Sequence, residues 1–488
     1  MASCTASYAV LLCLVTLSEA SCIGAKECIE TVRNGTQPVQ KQGYTRQPDA
    51  RGTLDILWSC IFTLFLCSWT IICTNLPGVG TSYVVTWWRK SWLTLLGLLA
   101  PEFVFGAAFI QWSTARTSMK QFQESGYKDW TMTHSFFADA GGFLLHTRDF
   151  PACPINGLQL HYLVIHGYVP LPALTKQHIG DRNKMDGMLR LISLWQVFWF
   201  CFNEFFRFLD GIHITALELT TVANIICSVP SAMCWFDKPQ DVTMPETIFC
   251  KTTMAQILKE AKFGNPTSHY RYSPLEFIDR REWSWSRQWC HWTNILRHMG
   301  IDFVPDATPI KRVQTTYIRE ISDIQYFFVC AVGFVYMAMF VLAWNHDFPT
   351  RLEQLHWRFA SLGAMATLLL CLFFERLGFI LWPVWRERLM CHRTYRKWRA
   401  KMDWHPQRPW EKRLNTKVSN LARMCRNNTV SQDRALDVPL KTQLPLYFIG
   451  FMYFYTRGTM AILDIIELRH MPISAYTEAR WTSLLPHM

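Results

Sequence analysis

The residues best placed to do chemistry are polar side chains that interrupt one apolar segment, residues 190–211. They are Asn203, Glu204, Arg207 and Asp210. An ionisable side chain in apolar surroundings costs free energy, so it is a candidate functional residue by default. A carboxyl group there that lacks an ion-pair partner would be able to act as a general acid. Glu204 and Asp210 are therefore two candidate catalytic acids.

The same cluster is also able to neutralise itself. On a helix, Asn203, Arg207 and Asp210 share one face, and Arg207 is three residues from both Glu204 and Asp210. Glu218, near the start of the next apolar segment, is a third candidate acid. The spacing leaves two interpretations open: a neutral cluster at a helix end, or an acid that faces a cavity.

Other charged residues stand alone in further apolar segments. They are Glu102 directly after Pro101, the pair Glu375 and Arg376, and Arg457 with Asp464 seven residues later. Each belongs either to an interhelical pair or to a site. The sequence does not show which acid is unpaired.

Histidines are frequent between residues 134 and 178, and His134 is the fourth candidate catalytic residue. The spacings of the five histidines there are 12, 15, 5 and 12 residues. Membrane di-iron enzymes need close histidine pairs, so these spacings argue against a desaturase. The chain also has no P-loop, no GxGxxG, no GxSxG and no CxxC. We therefore predict no cofactor and no metal site.

The composition is that of a membrane protein. Apolar residues make up 50% of the 488 residues and charged residues only 18%, against roughly 25% in soluble domains. Of the net charge of +12, residues 386–426 alone supply +10, from 13 basic and 3 acidic side chains. Aromatic residues are interspersed among the basic residues of this block. This pattern favours contact with an anionic lipid surface over binding to nucleic acid. The predicted partners are the lipid bilayer and a lipophilic small molecule.

Seven segments are apolar enough to be considered as membrane helices. They are 54–75, 92–112, 190–211, 213–236, 324–344, 359–381 and 444–466. Pro101 and Glu102 interrupt the second, which we expect to dip into the membrane and return, since the basic block is then cytosolic. The predicted fold is an all-α, multi-pass transmembrane helical bundle of six or seven spanning helices, with helical cytosolic or interfacial segments. The four tryptophans of residues 283–292 suit an interfacial helix.

The N-terminus resembles a secretory signal peptide with cleavage after Ala20. Asn34 would then be a lumenal glycosylation site, whereas Asn427 would be one only if its segment were lumenal. The endoplasmic reticulum and the plasma membrane fit equally. We predict a signal peptide at 1–20 and a lumenal or extracellular segment at 21–53. The predicted membrane segments are 54–112, 190–236, 324–381 and 444–466. The predicted soluble or interfacial segments are 113–189 and 237–323, the basic cytosolic segment is 382–443, and the C-terminal tail is 467–488.

Several stretches together resemble a family of fungal multi-pass integral membrane proteins whose function is not characterised. They are residues 51–77, 130–143, 179–190, 214–242 and 473–488. The family's motif residues correspond here to Trp130, His134, Phe136, Gly141, Gly142, Lys184, Asp186, Glu218, Trp235, Lys238, Pro239, Trp481 and His487. Cys234-Trp235 departs from the pattern, because members more often carry a Trp pair. Some members lie beside genes of specialised metabolism, so the resemblance implies a role in such a pathway.

We therefore expect a membrane protein of a fungal specialised-metabolite pathway, with a terpenoid or polyketide as substrate. The most specific version of this hypothesis is a cofactor-free cyclase or isomerase. In such an enzyme an acidic side chain within the membrane starts the reaction by protonation, and aromatic rings stabilise the cationic intermediates. The alternatives are a transporter or channel for a small lipophilic molecule, and a membrane receptor or scaffold.

Overall fold

The computed structural model describes residues 41–44, 51–182, 187–262, 273–279, 283–298, 311–315, 317–382 and 437–479, and residues 384, 385, 388, 420, 425, 426 and 428. The predicted signal peptide, Asn34, Asn427 and most of the basic block lie outside the described residues. Lys184, Asp186, Trp481 and His487 also lie outside them.

Helices dominate the described residues. In chain order they are α1 (Thr53–Ile71), α2 (Tyr83–Leu99), α3 (Pro101–Glu124), α4 (Met132–Asp139), α5 (Gly157–Ile165), α6 (Lys176–Asp181), α7 (Gly187–Leu209), α8 (Ala216–Cys234), α9 (Met254–Glu260), α10 (Ser284–His298), α11 (Asp323–Leu342), α12 (Arg351–Arg376) and α13 (Leu440–Ile466). The strands are β1 (Lys41–Gln42), β2 (Phe143–His146), β3 (Cys153–Ile155), β4 (Glu246–Phe249) and β5 (Met471–Pro472).

Four of the described helices are long and apolar enough to cross a membrane: α1, α8, α11 and α12 with their short extensions. The bent pair α2 and α3 makes a fifth if it counts as one span. The predicted six or seven spans are therefore not all found. Helices do form where spans were predicted in 190–211 and 444–466, as α7 and α13. Polar residues, together with Trp in α7 and Tyr in α13, lower the mean hydropathy of these two helices below that of α1, α8, α11 and α12.

The interruption predicted at Pro101 is present as a sharp break. α2 ends at Leu99, α3 begins at Pro101, and the two axes meet at 113°. Proline is favoured in the first turn of a helix because it has no N–H to leave unsatisfied there. This angle is compatible with a broken span and with a re-entrant hairpin.

The segment between α3 and α7 contains strands, which an all-α prediction did not include. β2 pairs with β3 antiparallel and with β4 in parallel, so residues about 100 positions apart form one sheet. Strands of three or four residues are too short to show the period of two that identifies a strand in sequence. Around this sheet, α4, α5 and α9 bury a core that includes Phe137 and Phe143. We call this part, 113–182, 238–262 and 273–279, the sheet lobe.

The glycine pair before β2 is explained by close packing. Gly141 has φ +84°, which glycine adopts without strain. A Cβ at Gly142 would lie 2.5 Å from the ring and the carbonyl of Phe137. The turn into the sheet therefore requires both glycines.

Lys238 links the sheet lobe to α3 and to the segment that follows α1. Its buried ammonium donates to the carbonyl of Cys73 at 2.9 Å, to Asn75 at 3.0 Å and to Gln111 at 2.8 Å. Burial lowers the pKa of Lys238 to about 8, although Cys73 and Asp139 oppose this. Lys238 and Asp139 both line a small cavity of about 60 Å³.

Asp139 makes the stability of the lobe depend on pH. Burial raises its pKa to about 7, although a hydrogen bond from the Gly157 N–H opposes this shift. A carboxyl group with a raised folded-state pKa favours folding below its unfolded value, and this contribution is lost as the pH rises from about 4 to about 7. In Asp139→Asn the acceptor for Gly157 is kept and the titration is removed. We expect the Tm of the wild type to fall by several degrees relative to that of the variant between pH 5 and pH 8, measured in detergent. Parallel curves would contradict the assignment.

The long helices pack around a core that α8, α11, α12 and α13 share with α3. Its large buried side chains include Tyr336, Phe340, Trp357 and Tyr453. α12 and α13 make the most extensive pairing between elements. This core holds the break between α2 and α3 in place and positions the site described next.

Candidate functional site

An apolar cavity of about 240 Å³ opens beside the break between α2 and α3. Its walls come from α3, α10, α11, α12 and α13. Nine of the lining side chains are aromatic: Phe103, Trp235, Trp283, Trp285, Trp289, Trp292, Tyr326, Tyr453 and Phe454. The tryptophan-rich α10 thus lines a cavity. The volume is far larger than the space that one water molecule occupies.

The aromatic rings of the wall support one another. Phe103 makes edge-to-face contacts with Trp285, at 5.2 Å between ring centroids, and with Tyr453, at 5.9 Å. Trp283 contacts Tyr326 in the same manner at 6.1 Å. Such contacts contribute about 0.5–1.5 kcal/mol each beyond the burial of area. The cavity wall is therefore preorganised.

Glu102 is the acid of this cavity. It follows Pro101 in the first turn of α3, beside the helix break. The side chain is buried, and Oε1 accepts a hydrogen bond from the hydroxyl of Tyr453. The buried Oε2 has no hydrogen-bond partner among the described residues.

Arg457 stabilises the other side of the helix break. Its Nε donates to the carbonyl of Leu99 at 3.1 Å, and its guanidinium also donates to the hydroxyl of Tyr336. The carbonyls of the last turn of α2 lack partners within the helix, so Arg457 acts as a cap there. The described part of the chain contains no ion pair between Arg457 and Glu102. Arg457 makes these hydrogen bonds in place of the ion pair with Asp464 that the sequence allowed.

Two further polar atoms of the cavity lining are buried and unpartnered. They are Nε1 of Trp285 and Nε2 of Gln288, which have no acceptor among the described residues. Buried polar atoms are normally hydrogen-bonded, and exceptions at a cavity indicate a missing partner. Glu102, Trp285 and Gln288 therefore each bring a buried polar atom without a partner to the wall of an otherwise apolar cavity. This arrangement suits a lipophilic molecule that carries a hydroxyl or carbonyl group.

Glu218, one of the predicted catalytic acids, lies in a different place. It is the third residue of α8, where its Oε2 accepts from the N–H of Thr215 at 2.8 Å and from the Thr215 hydroxyl at 3.0 Å. Its Oε1 forms an ion pair with Arg51, which precedes α1. Glu218 thus caps its own helix and is neutralised by a distant arginine.

Glu204 and Arg207 are brought to the same cluster, as their spacing predicted. Arg207 lies 3.9 Å from Glu204 and donates to the carbonyls of Thr477, Ala475 and His213. Glu204 is buried, whereas Asp210 at the end of α7 is partly exposed. The two arginines and the two buried glutamates balance in charge.

His134 occupies the sheet lobe. Its Nδ1 accepts from the N–H of Thr131 at 3.2 Å, and its Nε2 donates to the carbonyl of Leu174 at 2.9 Å. Burial lowers its pKa, which favours the neutral ring that this pair of contacts requires. Neither cavity described above has His134 in its lining.

Glu102 is recognisable in the sequence as an isolated acid, but it was not among the predicted catalytic residues. The signal was available: a proline directly before an acid, both in an apolar run. What the sequence did not contain was the partner, because Tyr453 is 351 residues away. The predicted catalytic set was therefore taken from acids that are close in sequence.

Comparisons with known proteins give a match to one family model over part of the chain and no activity. Residues 28–268, just under half of the chain, match the model of a family described as a family of unknown function (DUF8562). No curated protein and no solved structure is detectably similar to this chain. The match spans α1 to α9. It includes Glu102 and the sheet lobe except residues 273–279, and none of α10 to α13.

Proposed function

We propose that this chain is an integral membrane enzyme that binds a lipophilic small molecule in the aromatic cavity and protonates it with Glu102. The observation that carries the proposal is that Glu102, Trp285 and Gln288, each with a buried polar atom that lacks a partner among the described residues, line an apolar cavity with many aromatic rings. The reaction class is an acid-initiated cyclisation or isomerisation. Glu102 replaces Glu204, Asp210 and Glu218 as the proposed acid, because Glu102 is the one of these four that lines the cavity.

The proposed reaction begins with proton transfer from Oε2 of Glu102 to a carbon–carbon double bond of the substrate. A C–H bond forms and a carbocation remains, which the faces of the surrounding rings stabilise. Loss of a proton from a neighbouring carbon yields the isomer or cyclised product, and that proton restores the acid. Tyr453 holds Oε1 and so fixes the direction in which Oε2 points. No external oxidant or reductant is needed.

The biological setting that we propose is a fungal specialised-metabolite pathway in the secretory membranes. The resemblance to a fungal family supports the pathway, and four to five apolar helices support the membrane. The exposed large apolar side chains of α7, among them Leu191, Trp195 and Phe198, suit contact with lipid.

Deletion of the gene with untargeted metabolite profiling tests this proposal. We expect one family of metabolites to vanish and a precursor with an unreacted double bond to accumulate inside the cells. Membranes that contain the protein should convert this precursor without added cofactor. An unchanged profile, or membranes that leave the precursor intact, would overturn the enzyme assignment and favour a receptor or scaffold.

A transporter is the second candidate, and one observation favours it. Transporters often place substrates where a helix is broken within the membrane, and the cavity lies beside the 113° break between α2 and α3. In that case the finished product, and not a precursor, would accumulate inside the deletion strain. Uptake into vesicles would then depend on the protein.

Glycosylation tests the proposed orientation. If the N-terminal segment is lumenal, Asn34 carries a glycan and Asn427 does not. We expect an endoglycosidase to shift the gel mobility of the wild type and of Asn427→Gln, and to leave Asn34→Gln unchanged. A shift that persists in Asn34→Gln and disappears in Asn427→Gln would reverse the proposed topology.

A further inference from the structure

Three potential metal ligands converge from segments that are distant in sequence. His213 lies in the turn between α7 and α8, His346 lies between α11 and α12, and Glu467 directly follows α13. Nε2 of His213 lies 3.4 Å from Oε1 of Glu467, and Nε2 of His346 lies 2.7 Å from the same oxygen. The ligand atoms of all three lie within 4.8 Å of one another.

The carboxylate of this group is held in a fixed orientation. Glu467 is fully buried, and its Oε2 accepts from the backbone N–H of Ala216 at 2.7 Å. This contact leaves Oε1 directed at the two imidazoles. Gln354 donates to the carbonyl of His346 at 3.0 Å and fixes that backbone segment. Such outer contacts are typical of metal ligands, which need defined orientations.

Electrostatics at the group also favour a cation. Asp464 and Asp347 both add negative charge at His346. The His213 and His346 side chains retain 15% and 11% exposure, so one side of the group is open to water. A divalent ion held by two imidazoles and one carboxylate keeps a position for water or another ligand in many proteins.

The distances between the ligand atoms are close to those of a tetrahedral metal site. Bonds of 2.0–2.1 Å in a tetrahedral zinc site separate the ligand atoms by about 3.3 Å. The distance from His213 to Glu467 already matches this value, although it is long for a charge-assisted hydrogen bond. The distance from His346 to Glu467 must open by roughly 0.6 Å, which a change in one side-chain torsion supplies.

We propose that His213, His346 and Glu467 bind one divalent transition-metal ion of the zinc class, with an open fourth position. The ion would join the α7–α8 turn, the α11–α12 loop and the segment that follows α13. The site does not line the aromatic cavity, and the proposal does not rest on the proposed function. The expectation of no metal site came from a search for close ligand spacing, whereas these ligands are up to 254 residues apart.

Metal analysis of the full chain, purified in detergent without chelator, tests the proposal. We expect about one zinc ion per chain. After chelation, added Co²⁺ should give the visible absorption bands of a four-coordinate site, and added Zn²⁺ should abolish them. His213→Ala and His346→Ala should each weaken Co²⁺ binding at least tenfold. The matched control is His356→Ala, because His356 is exposed and bonded to Leu352 within its own helix; it should bind as the wild type does.

A second measurement covers variants that fail to fold. Pulsed electron paramagnetic resonance of the Cu²⁺-loaded wild type counts the imidazoles bound to the ion, and two are expected. No stoichiometric Zn²⁺ or Co²⁺ binding by the wild type would overturn the proposal and leave a hydrogen-bonded group. Full binding in both His→Ala variants, or an imidazole count other than two, would also overturn it.

Discussion

Replacement of Glu102 by Gln is expected to lower the rate of substrate conversion by about 10²–10⁴-fold, the usual contribution of a general acid. Gln keeps the size of the side chain and an oxygen that accepts from Tyr453, but it has no proton to transfer. Binding of the substrate should change little, so kcat falls and KM stays similar. The measurement is product formation by membranes supplied with the precursor that accumulates in the deletion strain.

Two controls separate chemistry from folding in this experiment. Glu124→Gln alters an exposed acid on the same helix, and it should convert substrate at the wild-type rate. Tyr453→Phe keeps the ring in the wall and removes only the donor to Glu102, so a smaller loss is expected. Wild-type turnover in Glu102→Gln would exclude Glu102 as the acid.

Replacement of Arg51 by Met is expected to destabilise the protein by about 3–5 kcal/mol, the usual cost of removing one partner from a buried ion pair. Arg51 balances Glu218, which is fully buried and has Glu204 nearby. Without Arg51, the two carboxyl groups share one arginine, Arg207. Chemical denaturation in detergent, followed by tryptophan fluorescence, measures the loss.

The double variant Arg51→Met, Glu218→Gln shows whether the charge itself is responsible. It should recover part of the lost stability, because no uncompensated carboxylate remains while Gln still caps α8 through Thr215. Arg351→Met, at an exposed position in the first turn of α12, should leave stability within about 0.5 kcal/mol of the wild type. Equal stability of the wild type and Arg51→Met would show that Glu218 is solvated by other means.

Local signals in the sequence predicted the local features of the fold. The helix break was readable at Pro101, because proline has no N–H and fixes its own backbone. The pairing of Glu204 with Arg207 was readable from their spacing of three residues. The tryptophans of α10 were readable as amphipathic, although their role as a cavity wall was not.

Features that depend on distant partners were not readable. Arg51 lies 167 residues from Glu218, and Tyr453 lies 351 residues from Glu102. A single sequence does not show which distant residues are in contact. The predicted acids were therefore ones that lie close together in sequence. The sheet was missed for a related reason, since β2 and β4 pair across a long crossover and each has only four residues.

Photoaffinity labelling shows whether the aromatic cavity binds the lipophilic substrate. The probe is an isoprenoid alcohol that carries a diazirine, applied to the full-length protein in native membranes, with labelled peptides located by mass spectrometry. We expect labels on the cavity walls of α3, α10 and α13. The precursor that accumulates in the deletion strain should compete with the probe. Labelling should also be strongly reduced in Cys330→Phe, because the larger side chain fills the cavity from α11. Labels confined to the exposed apolar faces of α7 and α12, unaffected by the competitor, would contradict it.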